Sequence, residues 1–159
     1  MKMNMYKLPR RLKGITTLSF VLRRKIHLKG FQFVHKSKAY ERLYALENTR
    51  IYGDTFSVTE TAIEGIGNNV SHIFSGMDYG EQECSRIIIC GRSPLENNTL
   101  HILFSSSEGE SKQLVEFAGT DSYIEREFIL EPISGRQTVT FLFLPGSQFD
   151  FKWFQFRPF

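Results

Sequence analysis

The sequence lacks any apolar run of the roughly 20 residues that a membrane-spanning helix needs. Its longest apolar stretch, Gly14 to Leu22, contains two Thr and a Ser and runs into Arg23-Arg24-Lys25. No small-residue cleavage site follows, so it does not read as a secretory signal. Cysteine is scarce, with only Cys84 and Cys90 present. They flank Ser85-Arg86-Ile87-Ile88-Ile89, and six residues of strand span about 20 Å, beyond disulfide reach. Two reduced thiols and a cytoplasmic, reducing compartment are the expectation. The four histidines, His27, His35, His72 and His101, have no metal-ligand spacing to a cysteine or to one another. No Gly-x-Ser-x-Gly elbow occurs, and Gly65-Ile66-Gly67 lacks the third glycine of a dinucleotide loop. Glu125 and Glu127 stand two apart on one predicted strand, about 7 Å from each other, which suits a solvated face better than a glycosidase pair. No catalytic residue, no cofactor and no metal are expected.

Acid is missing from one end. Residues 1–38 carry 11 Lys and Arg and no Asp or Glu. That leaves nine basic against 17 acidic side chains in residues 39–159, net −8. The chain thus divides into a basic leader, 1–38, and an acidic body, 39–159. A basic arm suits nucleic acid or an anionic membrane surface. No recognition motif accompanies the charge, so neither partner is expected. What the body has in abundance is phenylalanine, 12 of the chain's 15 residues. Residues 38–46 have the spacing of one short helix or of an entering strand. From Thr55 onward apolar residues alternate: Leu100, Ile102 and Phe104; Ile124, Phe128 and Leu130; Val139, Phe141 and Phe143; and the aromatic run Phe149 to Phe156. Turn signals separate them at Gly65 to Asn69, Ser75 to Asp78, Pro94 to Asn98, Glu108-Gly109, Ser134-Gly135 and Pro145 to Ser147. Short strands so spaced, with no helix of 12 or more residues between them, predict an all-β, antiparallel β-sandwich. Ile87-Ile88-Ile89 is apolar on both faces and reads as a central strand covered on each side. Trp153 alternates with Phe149 and Phe151 and is placed with them in the core.

The closing run Gly146-Ser147-Gln148-Phe149-Asp150-Phe151-Lys152-Trp153-Phe154-Gln155-Phe156 resembles the last strand of family six carbohydrate-binding modules, whose usual form is Gly-Ser-Gly-Phe-Asn-Leu-Asp-Trp-Phe-Arg-Phe. Gly65 to Ile73 and Leu43 to Asn48 are similar to two further segments of that family. A closer resemblance is to the C-terminal domain of family two bacterial β-galactosidases. It is carried by Ile51 to Phe56, Gly65 to Ser71, Met77 to Gly80, Ile89 to Pro94 and Phe143 to Ser147, and covers about residues 30–157. The resemblance implies a jelly-roll, galactose-binding-domain-like sandwich without catalytic machinery of its own. It also implies a free-standing or truncated relative of a β-galactosidase, with Tyr6 to Arg10 as a remnant of the region before the domain.

Sugars in such modules stack on aromatic faces and bond to fixed polar groups. By the resemblance, the cleft tyrosine falls on His72, the second cleft aromatic near Tyr123 and the cleft asparagine on Asp150. The structural calcium of these modules uses an acid that falls on Glu47 and an aspartate that is replaced here by Lys152. An ammonium there repels calcium and is expected to pair with Glu47 instead. Two functions stay open at this point. One is carbohydrate binding, with galactose-containing saccharides as ligands. The other is a structural or self-association domain without sugar binding, with a second copy or a parent hydrolase as partner.

Overall fold

A computed structural model describes residues 4, 6, 15–32 and 37–158. The chain divides into two compact units, Met1–Val34 and His35–Phe159. In the first, residues 15–32 form neither helix nor strand, and the rings of Phe20 and Phe31 meet at 5.1 Å. Arg23, Arg24, Lys25 and Lys29 are exposed there. Most of the Tyr6 to Arg10 segment, together with Lys2, Arg11, Lys13, His35 and Lys36, lies outside the described residues.

The second unit holds β1 (Leu43–Tyr44), β2 (Arg50–Tyr52), β3 (Ser57–Val58), β4 (Ile63–Ile66), β5 (Val70–Asp78), β6 (Cys84–Ser106), β7 (Gly109–Ile133), β8 (Arg136–Phe143) and β9 (Phe149–Pro158). Residues 38–46, ambiguous in sequence, resolve into short pieces: single 3-10 turns at Lys38–Tyr40 and Ala45–Glu47, with β1 between them. All strand pairs are antiparallel, in the order β2-β5-β8-β6-β9-β4-β3, with β7 on β6 and β1 on β9.

Two long strands make this ladder a sandwich. β6 and β7 pair along their whole length, but their register slips between Gly91 and Ser93 and again between Ser93 and Asn97. Bulges bend a strand and sharpen its twist. Before the bend, Arg86 to Arg92 of β6 lies beside β9; after it, His101 to Ser105 lies beside β8. One hairpin therefore serves both layers, β3-β4-β9-β6-β7 and β2-β5-β8-β6-β7. Two glycines permit the bend. A Cβ on Gly119 would overlap the Leu95 carbonyl oxygen, and one on Gly91 would overlap the Phe149 ring. Pro94 to Asn98, which signalled a chain reversal, marks this bend instead.

The interior is aromatic. Phe74 of β5 and Phe141 and Phe143 of β8 meet Phe149, Phe151 and Phe154 of β9, with ring centroids 4.7 Å apart for Phe74–Phe154 and 4.9 Å for Phe141–Phe151. Each such ring contributes about 1.5–3 kcal/mol by leaving water. Trp153 does not join them. Cys90 pairs with Trp153 while Gly91 pairs with Phe151, so Lys152 is an extra residue. That bulge reverses the parity of β9. Trp153 turns to the outer face, where it packs with Ile88 and Cys90, beside Tyr123. The Arg42 guanidinium covers its ring at 3.8 Å. These groups supply the outer cover of Ile87-Ile88-Ile89, while Ile87 and Ile89 face the core.

Candidate functional site

Four adjacent strands each present one polar side chain in a row across the outer face of the β4-β9-β6-β7 layer: Glu64, Asp150, Arg92 and Tyr123. Arg92 sits on the same parity as Ile88 and Cys90, opposite Asp150 in the ladder. Its Nε donates to Asp150 Oδ2 at 2.6 Å, and its Nη2 lies 3.5 Å from Glu64 Oε1. Tyr123 donates its hydroxyl to the same Glu64 oxygen at 2.6 Å. The second Asp150 oxygen accepts from the Gly65 backbone N–H at 2.7 Å. The Arg92 guanidinium lies 4.8 Å from the Tyr123 ring centre and the Lys152 ammonium 5.4 Å from it.

The charges balance, with Arg92 and Lys152 against Glu64 and Asp150. Burial, then donation to Glu64, pushes the Tyr123 phenol well above its ordinary value, so it stays a neutral donor. The bond to Asp150 raises Arg92 further, so it stays charged. Lys152 has no carboxylate within ion-pair distance among the described residues. The row thus offers an aromatic ring, half-exposed carboxylate oxygens and guanidinium and ammonium donors: parts that hydrogen-bond hydroxyl groups without favouring an ionic ligand.

The structure brings together two of the three residues that the resemblance assigns to a sugar cleft, Tyr123 and Asp150. His72 is elsewhere. Val70, His72 and Phe74 are the inward residues of β5, and His72 has no solvent exposure. Its ring stacks on Phe151 at 5.9 Å and lies 5.5 Å from Phe143. Neither ring nitrogen has a hydrogen-bond partner. Burial lowers its pKa to about 4, so it is neutral. The expected Glu47–Lys152 ion pair does not form either. Glu47 accepts from the Tyr44 backbone N–H at 2.7 Å and caps its own 3-10 turn, while Lys152, the bulged residue, leans over Tyr123. Arg92 and Glu64 complete the row and were not singled out by sequence reasoning. The one available signal was a charge on the otherwise apolar face of Ile88 and Cys90. Glu125 and Glu127 are exposed, as their spacing suggested, and Glu127 pairs with Arg86 at 3.6 Å.

No protein-family model and no curated protein matches this sequence. Solved structures share its fold. A family 6 carbohydrate-binding module from Clostridium stercorarium, in complex with cellobiose, superposes with a TM-score of 0.64 at 17% identity, over 74% of this chain and 93% of that one. A family 6 module from Clostridium cellulolyticum, in complex with xylose, gives a TM-score of 0.64 at 20% identity, over 75% and 98%. A β-1,3-glucan-binding module of the same family from Bacillus halodurans gives 0.60 at 19%, over 75% and 96%. The chain has the β-sandwich fold of these modules.

Proposed function

We propose that this is a non-catalytic accessory domain that binds a neutral, galactose-containing saccharide on the Tyr123–Arg92–Asp150–Glu64 row. The observation that carries the reading is the convergence of these side chains from four adjacent strands on the outer face of a sandwich whose structural neighbours include cellobiose and xylose complexes. A pyranose presents an apolar face to the Tyr123 ring and hydroxyls to Arg92 and the carboxylates. The Lys152 ammonium already lies over that ring and must swing aside first. Binding is accordingly weak, about millimolar, or −4 kcal/mol. The sequence resemblance supports a finer reading, that the domain accompanies a β-galactosidase-type hydrolase. An adjoining hydrolase reading frame in the genome tests that part. The buried, unbridged Cys84 and Cys90 support a cytoplasmic setting.

A second reading has its own observation. Asp150 and Glu64 are already engaged by Arg92, Tyr123 and the Gly65 N–H, so the row also works as a crosslink among strands with no ligand. Calorimetric titration with galactose and lactose separates the two readings. Saturable heat that Tyr123→Ala abolishes supports sugar binding. No heat, together with a loss of thermal stability in Arg92→Ala, supports the structural reading and overturns the first.

A further inference from the structure

The geometry points to an interaction surface on the first half of β7, where a second copy of this chain pairs strand to strand about a twofold axis at Leu114. Among the described residues β7 pairs with β6 alone, so it forms one rim of both layers. The opposite rims are short, three residues in β2 and two in β3, whereas β7 has 25. A long open edge presents a row of unpaired backbone groups, a template for another strand.

The hairpin turn decides which groups face that edge. Ser106 and Gly109 flank a two-residue loop and are partners in the ladder, so they exchange both hydrogen bonds. The register then runs without a slip to Asn97 and Ala118. Bonded pairs alternate along an antiparallel ladder, so Ser111, Gln113 and Val115 also turn their N–H and C=O groups to β6. Glu110, Lys112, Leu114 and Glu116 turn theirs to the open side. The same four side chains are exposed, Leu114 by 54%.

Their order is self-complementary. Antiparallel pairing about Leu114 sets Leu114 against the partner's Leu114, and Lys112 against the partner's Glu116 on each side of the axis. Centring the axis on Lys112 or on Glu116 would instead oppose like charges. Lys112 has no carboxylate within ion-pair distance among the described residues. Glu116 accepts from the Thr99 hydroxyl at 2.7 Å and keeps further lone pairs for an ammonium. The second half of β7 blocks the same pairing. Its exposed Glu125, Glu127 and Glu131 would meet like charges, and the Gln113 side chain already holds the Glu131 N–H at 2.7 Å and its C=O at 3.0 Å. The contact is therefore confined to the first half, and its twofold symmetry closes it at a dimer. Tyr123 lies in the other half, so this surface is independent of the sugar-binding row.

The test is sedimentation equilibrium of the full chain and of its charge variants, each checked for the native fold by circular dichroism. The full chain is expected to show a reversible monomer–dimer equilibrium. Lys112→Glu and Glu116→Lys each set two like-charged pairs across the axis and raise the dissociation constant about tenfold or more. The double variant exchanges the two charges and restores the dimer. If Glu116→Lys fails to fold for want of the Thr99 bond, Leu114→Arg, which sets two cations on the axis, takes its place beside Lys112→Glu and also weakens the dimer. A full chain that stays monomeric at its highest soluble concentration would overturn the inference. So would a dimer that no single variant weakens, or one that a folded double variant does not restore. Each of these results leaves the proposed function standing.

Discussion

Acid should weaken the sandwich through His72. The ring is fully buried among Phe56, Phe143 and Phe151, and burial lowers its pKa from 6.5 to about 4. At 1.36 kcal/mol per pH unit, that difference is worth about 3 kcal/mol of stability. The sign follows from proton uptake. Between the two pKa values the unfolded chain binds a proton that the folded chain refuses. The stability is therefore present in full above pH 6.5, is eroded as pH falls through 6.5 towards about 4, and is gone below that. Set against a typical domain stability of about 5–15 kcal/mol, the loss is large. Carboxylates titrate over part of the same range, so the comparison needs a variant. His72→Leu removes the titration and also removes two unpartnered buried nitrogens, each costing about 1–3 kcal/mol when left unpaired. Urea unfolding of both proteins, at neutral pH and near pH 4.5, measures the gap between them. The expected result is a variant at least as stable at neutral pH, with a gap that widens by about 2–3 kcal/mol in acid. A gap that stays constant with pH would refute the buried, neutral His72.

Gly119→Ala forces a Cβ into the Leu95 carbonyl at the bend, and should cost about 2–3 kcal/mol in urea unfolding, whereas Gly135→Ala meets open space and should cost only the strain of its left-handed backbone, about 1 kcal/mol. Arg42→Ala uncovers the Trp153 ring; it should raise acrylamide quenching of the single tryptophan and cost about 0.5–2 kcal/mol. Burial pushes both cysteine thiols up and keeps them free, so a thiol-reactive dye should label neither in the native protein and both in denaturant.

The sandwich was legible because alternation survives in most strands. Leu100, Ile102 and Phe104 are buried, as are Val139, Phe141 and Phe143, in the pattern their spacing gives. The Glu108-Gly109 signal marks a true hairpin turn, because it joins the paired strands β6 and β7, whereas Ser134-Gly135 joins β7 to β8, which pairs with β5 and β6 instead. Alternation cannot register a bulge, and so Trp153 went to the wrong face: one extra residue, Lys152, reverses every later parity in β9. The same blindness turned two bulges into turns, at Ser75 to Asp78 within β5 and at Pro94 to Asn98 within β6. Of the three residues that the resemblance placed in one cleft, Tyr123 and Asp150 were legible as sharing a face, carried by β7 and β9 on either side of β6. His72 was not, because a resemblance places a residue along the strand while packing decides which way a ring turns. Arg92 and Glu64 lie 28 residues apart and meet only when β4 and β6 flank β9.

The most direct test of the sugar-binding account is a crystal structure of the full chain grown with lactose. The account predicts a pyranose ring seated on Tyr123, Lys152 displaced from that ring, and sugar hydroxyls within hydrogen-bond distance of Arg92 and Asp150. Crystals saturated with lactose that keep Lys152 over an unoccupied Tyr123 would contradict it.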